Sequence, residues 1–302
     1  MGPDQDLPTL QQKQDHLGVL RYLRAHEMRE PNLVVEHATK LLGGDHLSKS
    51  MGDEGARLAA LEQLCFAALD LGDHDLSEKC LDKLKEKVPV ESVRFRRILA
   101  RCLEASEDFD GAMKIYDSML EENGACLVAL QRKYCIAKAQ KKSPEVVVKA
   151  LNEYLEQNMA DTSAWYEMAE LRLSLDDYKG AAYAMEQVVL GCPLESDVHV
   201  KLAEIYAKIG GLEHVLMARR HMAQALELDS TNADAQVGLV TVSTQYIEES
   251  AKAGKKEVDE HEILVAKELV KYGASEVLKT YKGTERFATM KQKMSEYLDK
   301  LE

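Results

Sequence analysis

The sequence predicts an all-α protein, a superhelical solenoid in which short helices pack in pairs along the chain. Of its 302 residues, 45% are hydrophobic, 30% are charged and only 6% are aromatic, a composition that favours helices over strands. A second observation is a repeat, in which a large residue followed by a small one recurs every 34 or 35 residues. The pairs are Leu64-Cys65, Leu99-Ala100, Tyr134-Cys135, Met168-Ala169, Leu202-Ala203 and Val237-Gly238.

Residues 1–57 precede this repeat and are predicted to form an N-terminal helical cap. Apolar runs at 17–23 and 33–35 indicate helices, although they do not follow the repeat spacing. Gly, Asp and Ser residues between 43 and 55 predict a loop. A cap is expected because the terminal unit of a solenoid must cover an apolar face that no neighbour covers.

Residues 58–230 are predicted to contain five units of two helices each. Twelve residues after each of the first four small positions stands a second register residue, followed by apolar residues four and seven positions later. Such steps place side chains on one face of a helix. These second register residues are Ser77, Ala112, Val147 and Ala181. Gly and Asp residues at 71–73, 107–109 and 175–177 predict the turn within each unit.

The clearest unit begins at Ala164 and ends at Pro193. It combines Trp165 with the Met168-Ala169 pair and, after the turn, Tyr178 and Ala181. This combination at a period of about 34 residues is typical of the tetratricopeptide repeat, a helix–turn–helix unit. In the next unit His199 takes the place of Trp165, and we expect it to be a packed helix residue.

The fifth unit has three additional residues between its two register positions, Ala203 and Ala218, within the stretch 210–214. The simpler interpretation is a longer surface loop, because loops accommodate insertions at low cost. The alternative is a projection at the edge of the solenoid that contacts a specific partner.

Residues 231–302 are predicted to form a further repeat helix and a C-terminal helical cap. One helix is expected around 263–270 and should stop near Gly273. A final amphipathic helix is expected at 287–301, with its apolar face packed on the last repeat. The alternative, a helix lying on a membrane, is disfavoured because acidic and basic residues are nearly balanced in this region.

Charge and motifs argue against several classes of function. The formal net charge of −13 repels phosphates, so nucleic acid is not an expected ligand. The stretch 26–30 begins like a zinc-binding helix but lacks the second His, and no nucleophile or cofactor motif is complete. The six cysteines are scattered and indicate reduced thiols. We therefore expect a non-enzyme without cofactor or metal, and no signal peptide or membrane span.

The residues most expected to bind a partner lie on the first helix of each unit. In a solenoid of this type, these helices line a concave groove. The side chains predicted to face it include Phe66, Arg97, Arg101, Arg132, Tyr166, Glu170, Leu173 and Glu204. The arginines have two interpretations: ion pairs with glutamates that contribute little, or a docking point for acidic groups or backbone carbonyls of a partner.

Several strings in this array are more specific than the generic repeat. They are residues 151–157 (Leu-Asn-Glu-Tyr-Leu-Glu-Gln), the unit that begins Ala164-Trp165, residues 210–213 (Gly-Gly-Leu-Glu) and residues 223–226 (Ala-Gln-Ala-Leu). Over about 60–240 the chain resembles the family of subunit 2 of the endoplasmic reticulum membrane protein complex. The resemblance implies a cytosolic scaffold without catalytic residues, peripheral on the cytosolic face of the endoplasmic reticulum membrane.

The same resemblance implies a hetero-oligomer. The expected partners are membrane-embedded and cytosolic subunits of a complex that inserts tail-anchored and multispanning proteins, with neither nucleic acid nor a lipid anchor. The alternative function is that of a carboxylate-clamp adaptor, which grips the acidic C-terminal tail of a chaperone. Arg97, Arg101, Arg132 and Lys133 supply positive charge for such a clamp, but its asparagines are missing.

Overall fold

A computed structural model describes residues 6–43, 54–253 and 259–299, in which all regular structure is helical and no strand occurs. The predicted all-α class is therefore confirmed. The chain divides into two compact units, residues 1–140 and 141–302. The loop predicted between 43 and 55 falls almost wholly outside the described residues, and the limits proposed at 57 and 230 for the caps remain predictions.

The first unit contains eight described helices, each packed mainly against the next one along the chain. Leu20, Leu23 and Leu84 are fully buried in its core together with Ile98. Its helices are α1 (Leu7–Gln12), α2 (His16–Ala25), α3 (Pro31–Gly43), α4 (Glu54–Leu71), α5 (His74–Lys85), α6 (Val93–Ala105), α7 (Phe109–Glu122) and α8 (Leu127–Ala139).

The second unit also contains eight described helices in the same sequential packing. Met168, Met185 and Leu202 are among its most deeply buried side chains. Its helices are α9 (Pro144–Gln157), α10 (Thr162–Ser174), α11 (Tyr178–Gly191), α12 (Ser196–Ile209), α13 (Leu212–Leu228), α14 (Ala233–Lys252), α15 (Glu260–Thr280) and α16 (Phe287–Asp299). No helix in the described ranges has an apolar stretch long enough to cross a membrane.

Three of the turns between paired helices follow one local pattern, as the sequence predicts. A residue in the left-handed region ends the first helix, and an aspartate then caps the second by accepting a hydrogen bond from the backbone N–H three residues later. The left-handed residues are Gly72, Glu107 and Asp176, with φ of 73°, 63° and 55°. The capping bonds are Asp73 to Leu76, Asp108 to Gly111 and Asp177 to Gly180, each at 2.9 Å.

In each repeat, the second helix is predicted to bury the face that carries its register residue and the apolar residues after it. The structure confirms this prediction. Ala112 and Ala181 are completely buried, and Tyr116 and Met185, four residues after them, are buried with them. Alanine suits these positions because a small side chain lets neighbouring helices approach closely.

The first helix of the third repeat, α8, differs from its predicted register by one residue. Tyr134 is buried, whereas Cys135 is partly exposed. The left-handed residue of this turn is Lys141, seven residues after Tyr134, just as Glu107 lies seven residues after Ala100. The register residue is therefore Tyr134, because the turn at 140–143 contains one more residue than the turn at 106–108.

The three inserted residues of the fifth unit lengthen a helix, so the prediction of a longer loop is wrong. Only Gly210 and Gly211 separate α12 from α13, and both have positive φ, of 72° and 82°. Ala218 is the seventh residue of α13, whereas Ala181 is the fourth of α11. The insertion thus adds about one turn to the start of α13.

The same insertion displaces the register of α14. Val240 is completely buried, whereas the predicted register residue Gly238 is partly exposed. The register residue of α14 is therefore Val240 rather than Gly238, and this repeat has no large–small pair at the register position. A constant spacing misplaced the register residue by two residues because the fifth unit is longer than the others.

The C-terminal region confirms one prediction and corrects another. Helix α15 does not stop near Gly273 but continues to Thr280. Gly273 is instead a close contact between helices, since a Cβ atom there would lie 2.7 Å from Cγ2 of Val240. The last helix packs on the array as predicted, with Met294 of α16 buried beside Val270.

Candidate partner-binding surface

In the N-terminal compact unit, residues 1–140, Arg97 of α6 lies against Phe66 of α4. The guanidinium carbon is 5.8 Å from the centre of the Phe66 ring, a cation–π contact that holds the arginine in place. The Nε atom of Arg97 is buried and has no hydrogen-bond partner. Arg101, one turn further along α6, is half-buried and has no ion pair among the described residues. Helix α6 therefore presents two arginines, Arg97 and Arg101, that form no ion pair with a carboxylate in the described part of the chain.

Arg132 is engaged within the protein, in contrast to these two. Its Nε donates to Oε1 of Glu104 at 3.1 Å, and its Nη2 forms an ion pair with the other carboxylate oxygen. The Tyr116 hydroxyl also donates to Glu104, at 2.6 Å. Burial lowers the pKa of Arg132, but Glu104 outweighs this effect and raises it. Burial, reinforced by Glu104, raises the pKa of Tyr116. The structure thus provides the Arg–Glu pair that was one interpretation of the arginines.

In the C-terminal compact unit, residues 141–302, Tyr166 and Glu170 of α10 contact Lys201 of α12. The Lys201 Nζ atom lies 4.9 Å from the centre of the Tyr166 ring and donates to Oε1 of Glu170 at 3.1 Å. The contact with Tyr166 raises the pKa of Lys201, and Glu170 raises it further. Leu173, one turn after Glu170, is half-buried. These side chains link α10 to α12 along one exposed surface.

Glu204 lies at the edge of a cavity that the sequence analysis did not anticipate. The cavity occupies about 610 Å³ between α12 and α14, with part of α13 beneath it. Its lining is Glu204, Ala207, Lys208, Met222, Asp234, Val237, Gly238, Thr241, Val242 and Gln245. A glycine inside a predicted helix, Gly238, was the one sequence feature that could have indicated this cavity. The sequence interpretation instead assigned Gly238 as the small register residue that packs between helices.

The additional turn of α13 borders a second, wider groove of about 890 Å³. Gly211, Leu212 and Glu213 line one side of it. Beneath the groove, the guanidinium of Arg219 is buried, lies 4.9 Å from the centre of the Tyr246 ring and forms an ion pair with Glu262 of α15. This contact fastens α13 to α15 and leaves the additional turn at the surface.

Two of the cysteines are buried in the core of the first compact unit. Cys65 and Cys80 are buried free thiols, and burial raises the pKa of Cys80 to about 11, which disfavours the nucleophilic thiolate. Within the described residues, no group of three or more His, Cys, Asp or Glu side chains is arranged to hold a metal ion.

Helix pairs, aspartate-capped turns and exposed polar side chains along the first helices define a tetratricopeptide-repeat protein. A model of the EMC2 TPR-like repeat domain family matches residues 79–214. The chain is 35% identical to ER membrane protein complex subunit 2-A of Xenopus laevis, over 88% of this chain and 86% of that protein. It is 34% identical to subunit 2 of Dictyostelium discoideum, over 70% and 64%. The chain belongs to the family of ER membrane protein complex subunit 2.

Solved structures support the fold alone. The C-terminal part of a tetratricopeptide-repeat protein from Cytophaga hutchinsonii superposes with a TM-score of 0.50 at 11% identity. That match covers 94% of this chain and 98% of the bacterial one.

Proposed function

We propose that this chain is a non-catalytic scaffold subunit of the endoplasmic reticulum membrane protein complex. The observation that carries the proposal is the 35% identity to a subunit of that complex over 88% of this chain. The site supports it, because the described surface offers arginines, carboxylates and an apolar cavity, all suited to protein recognition, and no assembled catalytic group.

The proposed location is the cytosolic face of the endoplasmic reticulum membrane, where the chain would be peripheral and held by protein partners. Its net charge of −13 supports attachment through proteins, since anionic lipid headgroups repel an acidic chain. The partners would be membrane-embedded subunits on one side and a cytosolic subunit on the other.

The mechanism is one of positioning. Within each compact unit, capped turns and small residues at the helix contacts hold the helices, so that the exposed side chains of that unit keep fixed distances. Subunits bound to different repeats of one unit would then be held in a constant arrangement. The complex would in this way keep its insertion machinery assembled while tail-anchored and multispanning proteins enter the membrane.

Co-purification tests the proposal. The tagged chain is purified from detergent-solubilised membranes, and its partners are identified by mass spectrometry. We expect the other subunits of the complex in amounts comparable to the tagged chain. Recovery of a cytosolic chaperone without those subunits, together with binding of an acidic chaperone-tail peptide, would instead support the carboxylate-clamp adaptor.

A further inference from the structure

The lining of the cavity between α12 and α14 includes one position without a side chain. Two repeats show where the residue two positions before the register residue reaches, since Arg132 pairs with Glu104 and Lys201 with Glu170, each on the preceding first helix. In the first helices other than α14 this residue is large: Gln63, Ile98, Arg132, Glu167 and Lys201. In α14 it is Gly238, and a Cβ atom placed there would lie 2.5 Å from Cε of Met222. Glycine therefore lets the side chain of Met222 occupy the place that the residue's own side chain takes in the other first helices, and Met222 forms part of the cavity lining.

The inner surface of this cavity is apolar. Met222 and Val242 form its floor and are each only 2% exposed, so the cavity is closed toward the core. Ala207 and Val237 line the sides. A volume of about 610 Å³ is sufficient for one large aliphatic side chain and the backbone beside it. Methionine suits such a floor because its flexible thioether adapts to different shapes.

The rim of the cavity is negatively charged. Glu204 of α12 and Asp234 of α14 are both exposed, and neither is paired with a residue that the structure describes. Lys208 is the one basic side chain of the lining. Two free carboxylates beside an apolar cavity favour a ligand that combines positive charge with an aliphatic group.

We propose that this cavity binds a segment of a partner protein in which an aliphatic side chain lies next to lysine or arginine. The aliphatic side chain enters beside Gly238, and the basic residues pair with Glu204 and Asp234. The proposal rests on the proposed function in that the segment belongs to another subunit. It adds a position and a chemistry for the contact.

Synthetic peptides test this recognition directly. Three fluorescein-labelled peptides with identical Gly-Ser flanks carry the cores Lys-Leu-Lys, Lys-Ser-Lys and Glu-Leu-Glu, and fluorescence anisotropy measures their binding to the purified full chain. We expect saturable binding of the Lys-Leu-Lys peptide, and binding at least tenfold weaker for the other two. Equal binding of all three peptides, or no saturable binding of the first, would overturn the proposal.

Two variants localise the binding. Gly238→Leu displaces Met222 from the cavity floor, and Thr241→Lys places a positive charge at an exposed position of the lining. Each should weaken Lys-Leu-Lys binding at least tenfold. The matched control is Glu213→Gln, which changes the net charge by the same amount at an exposed position of α13 outside this lining. Unchanged binding by Thr241→Lys would contradict the proposal even if Gly238→Leu failed to fold.

Two further measurements separate this inference from other outcomes. Sedimentation velocity of the chain alone should show a monomer, and a dimer abolished by Thr241→Lys would assign the cavity to a second copy. Co-purification of the wild-type chain tests the proposed function independently. If complex subunits are recovered but the peptides are not distinguished, only the cavity inference fails. If no subunit is recovered, the proposed function fails whatever the peptides do.

Discussion

At the scale of single residues, three unlike side chains make the same contact. The side chains of Trp165, His199 and Gln236 each bond to the carbonyl oxygen six residues earlier, at 2.9, 3.0 and 2.8 Å. Each bond ties a first helix to the connection before it. His199 is therefore the packed helix residue that the sequence predicted. Gln236 escaped prediction because a constant repeat spacing does not align it with the other two.

The histidine pair predicts a dependence of stability on pH. The Nδ1 atoms of His199 and His221 are 3.0 Å apart, so one ring donates to the other, and Nε2 of His199 faces the Pro193 carbonyl. Burial, and then His199, lowers the pKa of His221 below its usual 6.5. The unfolded chain thus binds more protons near that pH, and the free energy of unfolding should fall as pH falls below about 6.5.

Urea unfolding at pH 7.5 and pH 5.5 measures this effect. Because burial and His16 also lower the pKa of His37, the wild-type chain must be compared with His221→Gln. The variant should lose less stability between the two pH values than the wild type. An equal loss in both chains would show that the His199–His221 pair does not contribute.

Ala169 tests the packing at the first register position. It is 1% exposed, and replacement by Leu should force the helices apart, at a cost of about 1–3 kcal/mol. Ser163→Leu, at an exposed position of the same helix, is the control and should change stability by less than about 0.5 kcal/mol. Chemical denaturation of both variants gives the comparison, and equal stabilities would argue against a tight contact at Ala169.

At the scale of helices and turns, the aspartate caps differ in strength. Asp108 and Asp177 both accept the capping hydrogen bond, but Asp177 also accepts one from Nη1 of Arg172 at 2.7 Å. Replacement of Asp108 by Ala should cost about 1 kcal/mol, and replacement of Asp177 somewhat more. Thermal unfolding at neutral pH ranks the two variants, and the reverse order would contradict this reasoning.

The contribution of the Asp177 cap to stability should also depend on pH. The backbone N–H of Gly180, and then Arg172, lowers the pKa of this carboxyl below its usual 3.8. Its contribution is therefore complete above that pH and is lost as the pH falls through the lowered value. The difference between wild type and Asp177→Ala should accordingly shrink toward pH 2. A difference that persists in acid would mean that the charge of Asp177 is not responsible.

Sequence reasoning recovered most helices because their apolar spacing and turn residues agree. The turns at Gly72, Glu107 and Asp176 lie where Gly and Asp residues predicted them. The sequence predictions were wrong where a contact between distant residues determines whether a helix continues. Gly273 looks like a helix end in the sequence, yet the approach of Val240 requires glycine within a continuous helix. A fixed repeat period also could not predict the additional residue in the turn at 140–143 or the additional helical turn at the start of α13.

At the scale of the whole molecule, Arg97 and Arg101 of α6 should matter for assembly. Arg97→Glu combined with Arg101→Glu reverses two charges on a partly exposed surface, so circular dichroism should still show well over half helix. Co-purification should lose one partner while the others remain. If every partner is retained and the melting is normal, these arginines do not bind a partner, and the contact lies elsewhere on the chain.

The candidate surface was less predictable than the fold. The repeat indicated which residues lie along the first helices, but the partner of each side chain depends on contacts between distant residues. Arg132 and Arg97 appear equivalent in the sequence, yet only Arg132 meets Glu104. The cavity lining combines Gly238 with Met222 of another helix, whose side chain occupies the place of a Cβ atom at Gly238, and no spacing rule predicts this contact.

The left-handed turn residues also indicate where substitutions could increase the thermal stability of this protein. Glu107, Lys141 and Asp176 hold φ between 51° and 63°, a conformation that costs residues other than glycine about 1 kcal/mol or more. Gly72 shows that the same turn accepts glycine. Exchanging the three for glycine should raise the melting temperature, although glycine at 176 removes an exposed hydrogen bond from Tyr178 to Asp176. An engineer could therefore strengthen the chain and leave every recognition feature intact.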